Sequence, residues 1–301
     1  NLVSGFICKQ NVKINNICIH EVFRIATSSF LNRNRVKWFT VIFAGNISLT
    51  KQINIALVGN PNSGKSSLFN YLTGLNQQVG NFPGVTVDKK MGQSKISNDL
   101  SATIIDLPGS YSLYPKRSDE WVAYKVLLNQ DETIKPDMVL LVADASNLKR
   151  NLLFCSQIID LGIPVVVAFT MMDLAKRKGT QIDISGLERE LGVPIVQINP
   201  RKNKGLEQLK KVIEQSAENL YQPPARDFID NNALAENAIE KVKEHYPDIS
   251  NYTAIHYLIN HEHFLLDDGM QDAIEQIEID NKFNPTKTQA EEIMQRYGHI
   301  K

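Results

Sequence analysis

The sequence is poor in cysteine: three residues in 301, Cys8, Cys18 and Cys155, at no spacing that suits a metal site or a disulfide framework. That scarcity excludes a disulfide-stapled secreted scaffold and fits a reducing, cytosolic setting. Long apolar runs are missing as well. None approaches the ~20 residues that span a bilayer. The apolar residues of the N-terminus are interrupted by Lys9, Lys13 and Arg24, which leaves no signal-peptide pattern. The polypeptide as given reads as soluble, and its start on Asn1 rather than Met fits a fragment. Net charge is absent: 33 Lys and Arg balance 33 Asp and Glu. The balance is uneven along the chain. Residues 1–52 carry seven basic side chains and one acidic (+6), whereas residues 225–301 carry seven basic and fifteen acidic (−8). A neutral chain with an acidic C-terminal region argues against nucleic acid as the partner. The basic N-terminal stretch is compatible with RNA or anionic lipid, but such an excess is more often solvated surface.

Against these absences stands one stretch around which the chain is organised, Gly59-Asn-Pro-Asn-Ser-Gly-Lys-Ser-Ser67. It fits the phosphate-binding pattern G-x-x-x-x-G-K-[ST], with Gly59, Gly64, Lys65 and Ser66 in the fixed places. Residues 53–58 read as a buried strand entering the loop, and 67–72 as a helix leaving it. The glycines let backbone N–H groups turn inward around a phosphate, and the helix N-terminus adds the positive end of its dipole. Lys65 would bring a cation to the β- and γ-phosphates and Ser66 a hydroxyl to Mg²⁺, with Asn60, Asn62, Ser63 and Ser67 in the same cradle. The competing reading is a strand-to-helix turn that matches by chance, and correct flanks on both sides weigh against it. The pattern implies nucleotide binding.

From Ile53 onward strand-like and helix-like runs alternate. The strand-like runs are 53–58, 103–107, 138–144, 164–169 and 194–198, short and rich in Val and Ile. Helix-like stretches are 65–72, 119–128, 151–161, 184–191 and 206–220. The alternation predicts an α/β fold, a doubly wound, mainly parallel sheet with ligands at the C-terminal ends of its strands. Residues 76–100, rich in Gly and polar side chains, read as a mobile loop with an antiparallel edge hairpin. Pro223-Pro224 marks a boundary. Beyond it helical periodicity at 233–244, 252–258, 270–279 and 286–296 predicts a small acidic all-helical domain. The expected organisation is therefore an N-terminal extension of unknown role (1–52, with a β-rich stretch at 36–43), a P-loop domain (53–222) and a helical domain (223–301).

Further motifs sit at strand ends. Asp106-Leu-Pro-Gly109 suits a carboxylate that holds Mg²⁺ and a Gly109 amide on the γ-phosphate, although alone it is also an ordinary turn. Thr170-Met171-Met-Asp173 closes the run 164–169. There the Asp173 carboxylate can accept two hydrogen bonds from a guanine ring, a pair that adenine does not offer. A solvent-facing Asp that caps the next segment is the plainer reading. Thr86, inside Val79-Gly-Asn-Phe-Pro-Gly-Val-Thr-Val87, is placed to close over Mg²⁺ when a γ-phosphate is present; the alternative is a plain turn at Pro83-Gly84. Ser110 stands where many GTPases carry a water-orienting Gln, so intrinsic hydrolysis is expected to be slow.

On the stretches 59–66, 79–86 and Asp106-Leu-Pro-Gly-Ser-Tyr-Ser-Leu113, with Met171-Met-Asp173 and Leu187-Glu-Arg-Glu-Leu-Gly-Val-Pro194, residues 53–301 resemble the cytosolic N-terminal region of the ferrous iron transport protein B family (FeoB). The resemblance implies a P-loop GTPase that hydrolyses GTP to GDP and phosphate, followed by a helical domain that favours the GDP-bound state. In that family a membrane permease follows, absent from this sequence, and the nucleotide cycle gates Fe²⁺ uptake at the cytoplasmic face of the bacterial inner membrane, with self-association there. Carried over, Lys65, Ser66, Thr86, Asp106 and Gly109 surround Mg²⁺ and phosphate, Asp173 reads the base, and Asn62 with carbonyls near Gly80-Asn81 holds K⁺ against the phosphates. Two positions depart from the family pattern. Thr170 replaces the usual Asn, which is expected to weaken the hydrogen bonds between loops. The stretch Ile198-Asn199-Pro200-Arg201 replaces a Ser-Ala that backs the base. How strictly GTP is preferred over ATP stays open on this pattern.

Two rivals remain. A ribosome- or RNA-associated assembly GTPase would share the loop motifs, but the acidic C-terminal region has the wrong sign for phosphate backbones. A nucleotide-sensing module that binds and scarcely hydrolyses is kept open by Ser110. The pair His261-Glu-His263 invites a metal reading, yet residues two apart diverge on a helix and a structural role is expected. Cys155, inside an apolar helical pattern, reads as core.

Overall fold

Runs rich in Val, Ile, Leu and Ala form the central strands of a mixed, mainly parallel sheet, as expected for strands covered on both faces. The computed structural model describes residues 13–14, 17–18, 50–74, 77–82, 87–131, 133–218 and 227–300. The chain divides into two compact units, residues 1–49 and 50–301. In the first, β1 (Lys13–Ile14) pairs antiparallel with β2 (Ile17–Cys18). The β-rich stretch 36–43 lies outside the described residues.

In the second unit β3 (Lys51–Gly59), β4 (Gln77–Asn81), β5 (Asp88–Lys95), β6 (Leu100–Asp106), β7 (Met138–Asp144), β8 (Val165–Thr170) and β9 (Ile195–Gln197) build a seven-stranded sheet in the order β4-β5-β6-β3-β7-β8-β9. β6, β3, β7, β8 and β9 run parallel, while β5 is antiparallel to β6 and β4 to β5. The neighbours of β3 lie in opposite directions, so its C-terminal end is the point where the winding reverses and a crevice opens.

Side chains along β3 alternate between two cores. Ile53, Ile55 and Leu57 face α1 (Lys65–Thr73) and α6 (Leu206–Ala217), where Leu68, Phe69, Leu209 and Ile213 complete one cluster. Ala56 and Val58 face α2 (Ser118–Leu127) and α3 (Leu148–Asp160) in the other. Each fully buried Leu, Ile or Phe contributes about 1.5–3 kcal/mol over exposure, so this two-sided burial fixes the register of the central strand. α4 (Met172–Arg177) and α5 (Ile184–Leu191) complete the sheet's helices. The expected strand at 138–144 and helix at 184–191 form with those bounds. Cys155 is fully buried and burial alone pushes its thiol up to about 12, which makes it core.

The antiparallel edge hairpin expected within residues 76–100 forms. Gln77–Asn81 and Asp88–Lys95 form the edge hairpin, with Ser94 and Ile96 buried between exposed Gln93 and Lys95. Glycine and serine occupy inward positions there, so the strand forms without a hydrophobic alternation to announce it.

After the sheet come α7 (Asn232–His245), α8 (Asn251–Asn260), α9 (Asp268–Asp280) and α10 (Pro285–His299), started by the Ser250, Asp267 and Asn284 caps on the last three. α8 and α10 pack on α3, and the second cluster continues through Ala238, Ile239, Val242, Tyr252 and Ile255. Polar groups are buried at this junction. Arg296 Nη2 lies 2.8 Å from Asp160 Oδ2, and its Nε donates to Glu292. Asp160 also accepts from Phe228 N at 2.6 Å and Asn231 Nδ2 at 2.8 Å. Gln157 joins the network to the segment before α2, accepting from Leu113 N at 3.0 Å and donating to Glu292 at 3.2 Å. Burial pushes the Asp160 carboxyl above its ordinary range while the Arg296 guanidinium pulls it back. His256 Nδ1 meets Tyr124 Oη at 3.1 Å, and burial, aided by Arg296, lowers the imidazole to about 3.

Replacing Arg296 with Met keeps volume but leaves the burial of Asp160 opposed only by the Phe228 and Asn231 hydrogen bonds, at an expected cost of about 3–5 kcal/mol at pH 7 in urea unfolding. A folded pKa raised further above the unfolded value returns stability as pH falls through it, so the deficit should narrow from pH 7 to pH 5. A deficit below about 1 kcal/mol, or one equal at both pH values, would show that the guanidinium does not carry the junction.

Candidate functional site

The crevice at the end of β3 is built from the 59–67 loop. At Gly59 an added Cβ would sit 2.3 Å from the Val142 carbonyl oxygen on β7, so only glycine lets the loop leave the sheet there. Asn62 holds φ 64 and is exposed, a left-handed turn residue that asparagine tolerates. Gly64, at φ 94, starts α1 with no side-chain cap. The first N–H groups of a helix have no intrahelical partner, so this uncapped end presents donors and a positive dipole to the crevice. Asn60 is 4% exposed with both side-chain polar atoms unpartnered, and buried Ser63 Oγ is unpartnered too. Such orphaned groups are costly unless a ligand or water meets them.

Asp106, the last residue of β6, forms an ion pair with Lys65 at the start of α1. Gly109 crosses close over the loop: an added Cβ would stand 3.1 Å from Pro61 N. Ser110 N donates to Gly59 O at 3.3 Å, while the Ser110 hydroxyl donates to Ser112 O at 2.6 Å and is committed to its own turn. The crevice has a volume of about 510 Å³. Asn60, Asn62, Gly64, Lys65, Ser66 and Ser67 line it from one side, and Gly109, Met171 and Arg201 from others. Arg117 and Asp119, at the start of α2, also line it. Sequence reasoning misses both as site residues, because no motif marks them and the loop before α2 brings them in.

The segments expected around a base meet at the ends of β8 and β9. Thr170 is buried, and its hydroxyl donates to Ser63 O at 2.6 Å with Ala143 O at 3.3 Å. The threonine hydroxyl ties β8 to the 59–67 loop through one donor, where an asparagine amide would offer two. Met171 takes a left-handed conformation at φ 56, turning the chain into α4. The Asp173 carboxylate is half-exposed, 3.9 Å from Lys202 Nζ and 4.0 Å from Arg177 Nη2. Asn199 caps a 3₁₀ turn over Pro200–Lys202, accepting from Lys202 N, and Lys202 thereby joins the 199–202 turn to Asp173. Thr86 and the Pro83-Gly84 turn lie outside the described residues; Gly80 and Asn81 lie in β4.

His261 and His263 occupy a 3₁₀ turn and diverge, as expected. His263 packs edge-on against Trp121 at 4.3 Å, and buried His261 lies 3.2 Å from Glu278. Glu278 is pushed up to about 7 by burial, with Glu275 and Glu262 adding to the rise. Among the described residues no group of three or more His, Cys, Asp or Glu side chains could hold a metal ion.

A family model described as ferrous iron transport protein B matches residues 53–213. A curated relative from Leptospira biflexa, an Fe(2+) transporter FeoB, is 47% identical over 165 residues, which are 55% of this chain and 23% of the relative. The Fe(2+) transporter FeoB of Salmonella typhimurium is 44% identical over 169 residues, 55% of this chain and 21% of the relative. The chain thus spans less than a quarter of the length of these relatives. Among solved structures, a point mutant of S. thermophilus NFeoB bound to GDP matches with a TM-score of 0.65 at 35% identity, covering 82% of this chain and 97% of that one. The cytosolic domain of the T. maritima FeoB iron transporter in its GMPPNP form matches with a TM-score of 0.66 at 31% identity, again covering 82% and 97%. These shares exceed residues 53–213, so the likeness of fold extends into α7–α10. Loop, sheet order and these matches agree: the chain belongs to the ferrous iron transport protein B family, whose N-terminal domain lies at residues 53–213.

Proposed function

We propose that this chain binds guanine nucleotides and hydrolyses GTP to GDP and phosphate, as the nucleotide-dependent region of a ferrous iron transporter. The observation that carries the reading is the Lys65–Asp106 ion pair at the winding reversal of the sheet, beside the uncapped start of α1 and the unpartnered Asn60 side chain. A polyanion entering there meets backbone donors and a cation, and the pair opens to give Lys65 to phosphate and Asp106 to a metal ion.

The oxygen donors of Ser66 and Asp106 fit a hard divalent cation, and Thr86 is the third candidate. Mg²⁺ held there would neutralise charge on the β- and γ-phosphate oxygens. The Gly109 amide orients the γ-phosphate. Asn60, Ser63, Gly64 and Ser67 line the phosphate path, and Asp173, Met171 and the Asn199-Pro200-Arg201 turn surround the base. The Asp173 carboxylate accepts from guanine, and Thr170 holds the loop beneath it. With Ser110 committed to its own turn, no side chain at that position orients water, which supports slow intrinsic hydrolysis. Asn62 is the proposed K⁺ ligand, in competition with its evident role as a left-handed turn residue.

Residues 223–301 are proposed as a regulatory domain that favours the GDP-bound state, residues 1–52 as an appended extension, and a membrane permease beyond this chain as the partner, at the cytoplasmic face of the bacterial inner membrane. No helix among the described residues is long and apolar enough to cross a membrane. Fe²⁺ as cargo rests on the names of the relatives.

Single-turnover hydrolysis in Mg²⁺ should rise at least about tenfold when Na⁺ is exchanged for K⁺, and the rise should vanish in Asn62→Ala. No rise in the wild type removes the K⁺ role, and no turnover above the solution rate leaves only a nucleotide sensor. In the full-length protein Lys65→Ala should abolish Fe²⁺ uptake, and removing residues 225–301 here should speed GDP release. Intact uptake or an unchanged off-rate removes the respective role.

A further inference from the structure

Three cations line the crevice: Lys65, Arg117 and Arg201. Arg201 belongs to the turn after β9, on the base side. Arg117 is the N-cap residue of α2. Its neighbour Asp119 also lines an adjoining recess of about 400 Å³ formed with Lys65, Asp106 and Gly109, where the terminal phosphate of a nucleotide would fall. The backbone at Arg117 is fixed, because Glu120 Oε2 accepts from Lys116 N at 2.8 Å and from Arg117 N at 3.4 Å. The side chain is not fixed. It is 59% exposed, with Nη2 3.2 Å from Asp119 and Nε 3.5 Å from Glu120. The Asp119 pair is solvent-facing on both sides and worth about 0–1 kcal/mol, unlike the pair with buried Glu120, so the guanidinium can exchange Asp119 for a more highly charged partner at little cost. A planar fork of donors suits phosphate oxygens in a way a point charge does not.

We propose that Arg117 is a catalytic residue of the hydrolysis read above, an arginine supplied in cis whose guanidinium leaves Asp119 and meets the γ-phosphate oxygens in the transition state. The inference rests on the GTPase reading. In the step, a bond forms from the water oxygen to the γ-phosphorus and the bond to the β-phosphate oxygen breaks. Its electron pair stays on GDP, and the water protons pass to inorganic phosphate and solvent. Charge grows on the equatorial and leaving oxygens during this exchange, and a guanidinium beside them lowers the barrier where Ser110 offers no help.

The test is steady-state GTPase kinetics and GDP affinity for the wild type, Arg117→Ala and Arg117→Lys, with Arg117→Ala also assayed in millimolar guanidinium. The expected result is a roughly 100-fold fall in kcat for Arg117→Ala, with KM and GDP affinity within about threefold of wild type. Partial recovery is expected in Arg117→Lys and on adding guanidinium. An unchanged kcat in Arg117→Ala, with wild-type GDP binding intact, overturns the role of Arg117 alone. A kcat loss matched by the loss of GDP affinity and a lower melting temperature, unrescued by Lys or guanidinium, overturns it in favour of a role in starting α2. Failure of the wild type to bind GDP or turn over GTP overturns the GTPase reading itself, and Arg117 with it.

Discussion

The Lys65–Asp106 ion pair sits where the sheet's winding reverses, and the site depends on it. β3 is hydrogen-bonded to β6 on one side and β7 on the other, yet the chain leaves it into α1 and returns to each neighbour by a different route. The crevice above its end is therefore a consequence of topology, and the pair is what bridges it. A charge pair this poorly hydrated is stable mainly as a partnership, since removing either member strands the other. That makes it easy for a polyanion with a divalent cation to take both partners at once, and hard for anything else to separate them.

A second buried charge group secures the other end of the molecule. Asp160 on α3, Glu292 and Arg296 on α10 and Asn231 before α7 pair with one another in a buried junction, with Arg296 Nη1 left without a hydrogen bond. Gln157 then continues the hydrogen bonds to Leu113, seven residues after Asp106 in the chain. The segment that runs from the crevice to α2 is thus attached by its backbone to the helices that follow the sheet. The hydrophobic cluster is continuous across the same junction, so residues 50–301 form one compact unit. The proposed regulatory role of the helices has a physical contact to act through.

Much of this is legible in the sequence where one residue type has one reason to be there. Gly59 must be glycine because β7 leaves no room, Lys65 sits at a helix start that repels cations and so marks a place for a negative partner, and apolar runs such as 138–144 have no face to show to water. Legibility fails where side chains carry no such constraint. The strand at Asp88–Lys95 hides serine and glycine rather than Val or Ile, so its bounds do not show in the pattern although a hairpin in the stretch does. α4 spans six residues, too short for a period to show. An asparagine at position 170 would offer two amide donors, whereas the Thr170 hydroxyl offers one and spends it on Ser63 O, a contact that composition alone does not reveal. Arg117 and Asp119 enter the crevice through a loop whose path no local rule dictates.

Selection of a guanine nucleotide through Asp173 is the point on which the functional reading turns. The most direct measurement is the affinity of fluorescent GDP and ADP in Mg²⁺, for the wild type and for Asp173→Ala. On the proposed reading the variant removes a carboxylate that accepts two hydrogen bonds from the base, worth about 1.5–3 kcal/mol, so GDP binding should fall roughly 10- to 100-fold and the preference over ADP should vanish. Equal affinity of the wild type for GDP and ADP would contradict guanine recognition. It would place the cause at Thr170 and the Asn199–Arg201 turn.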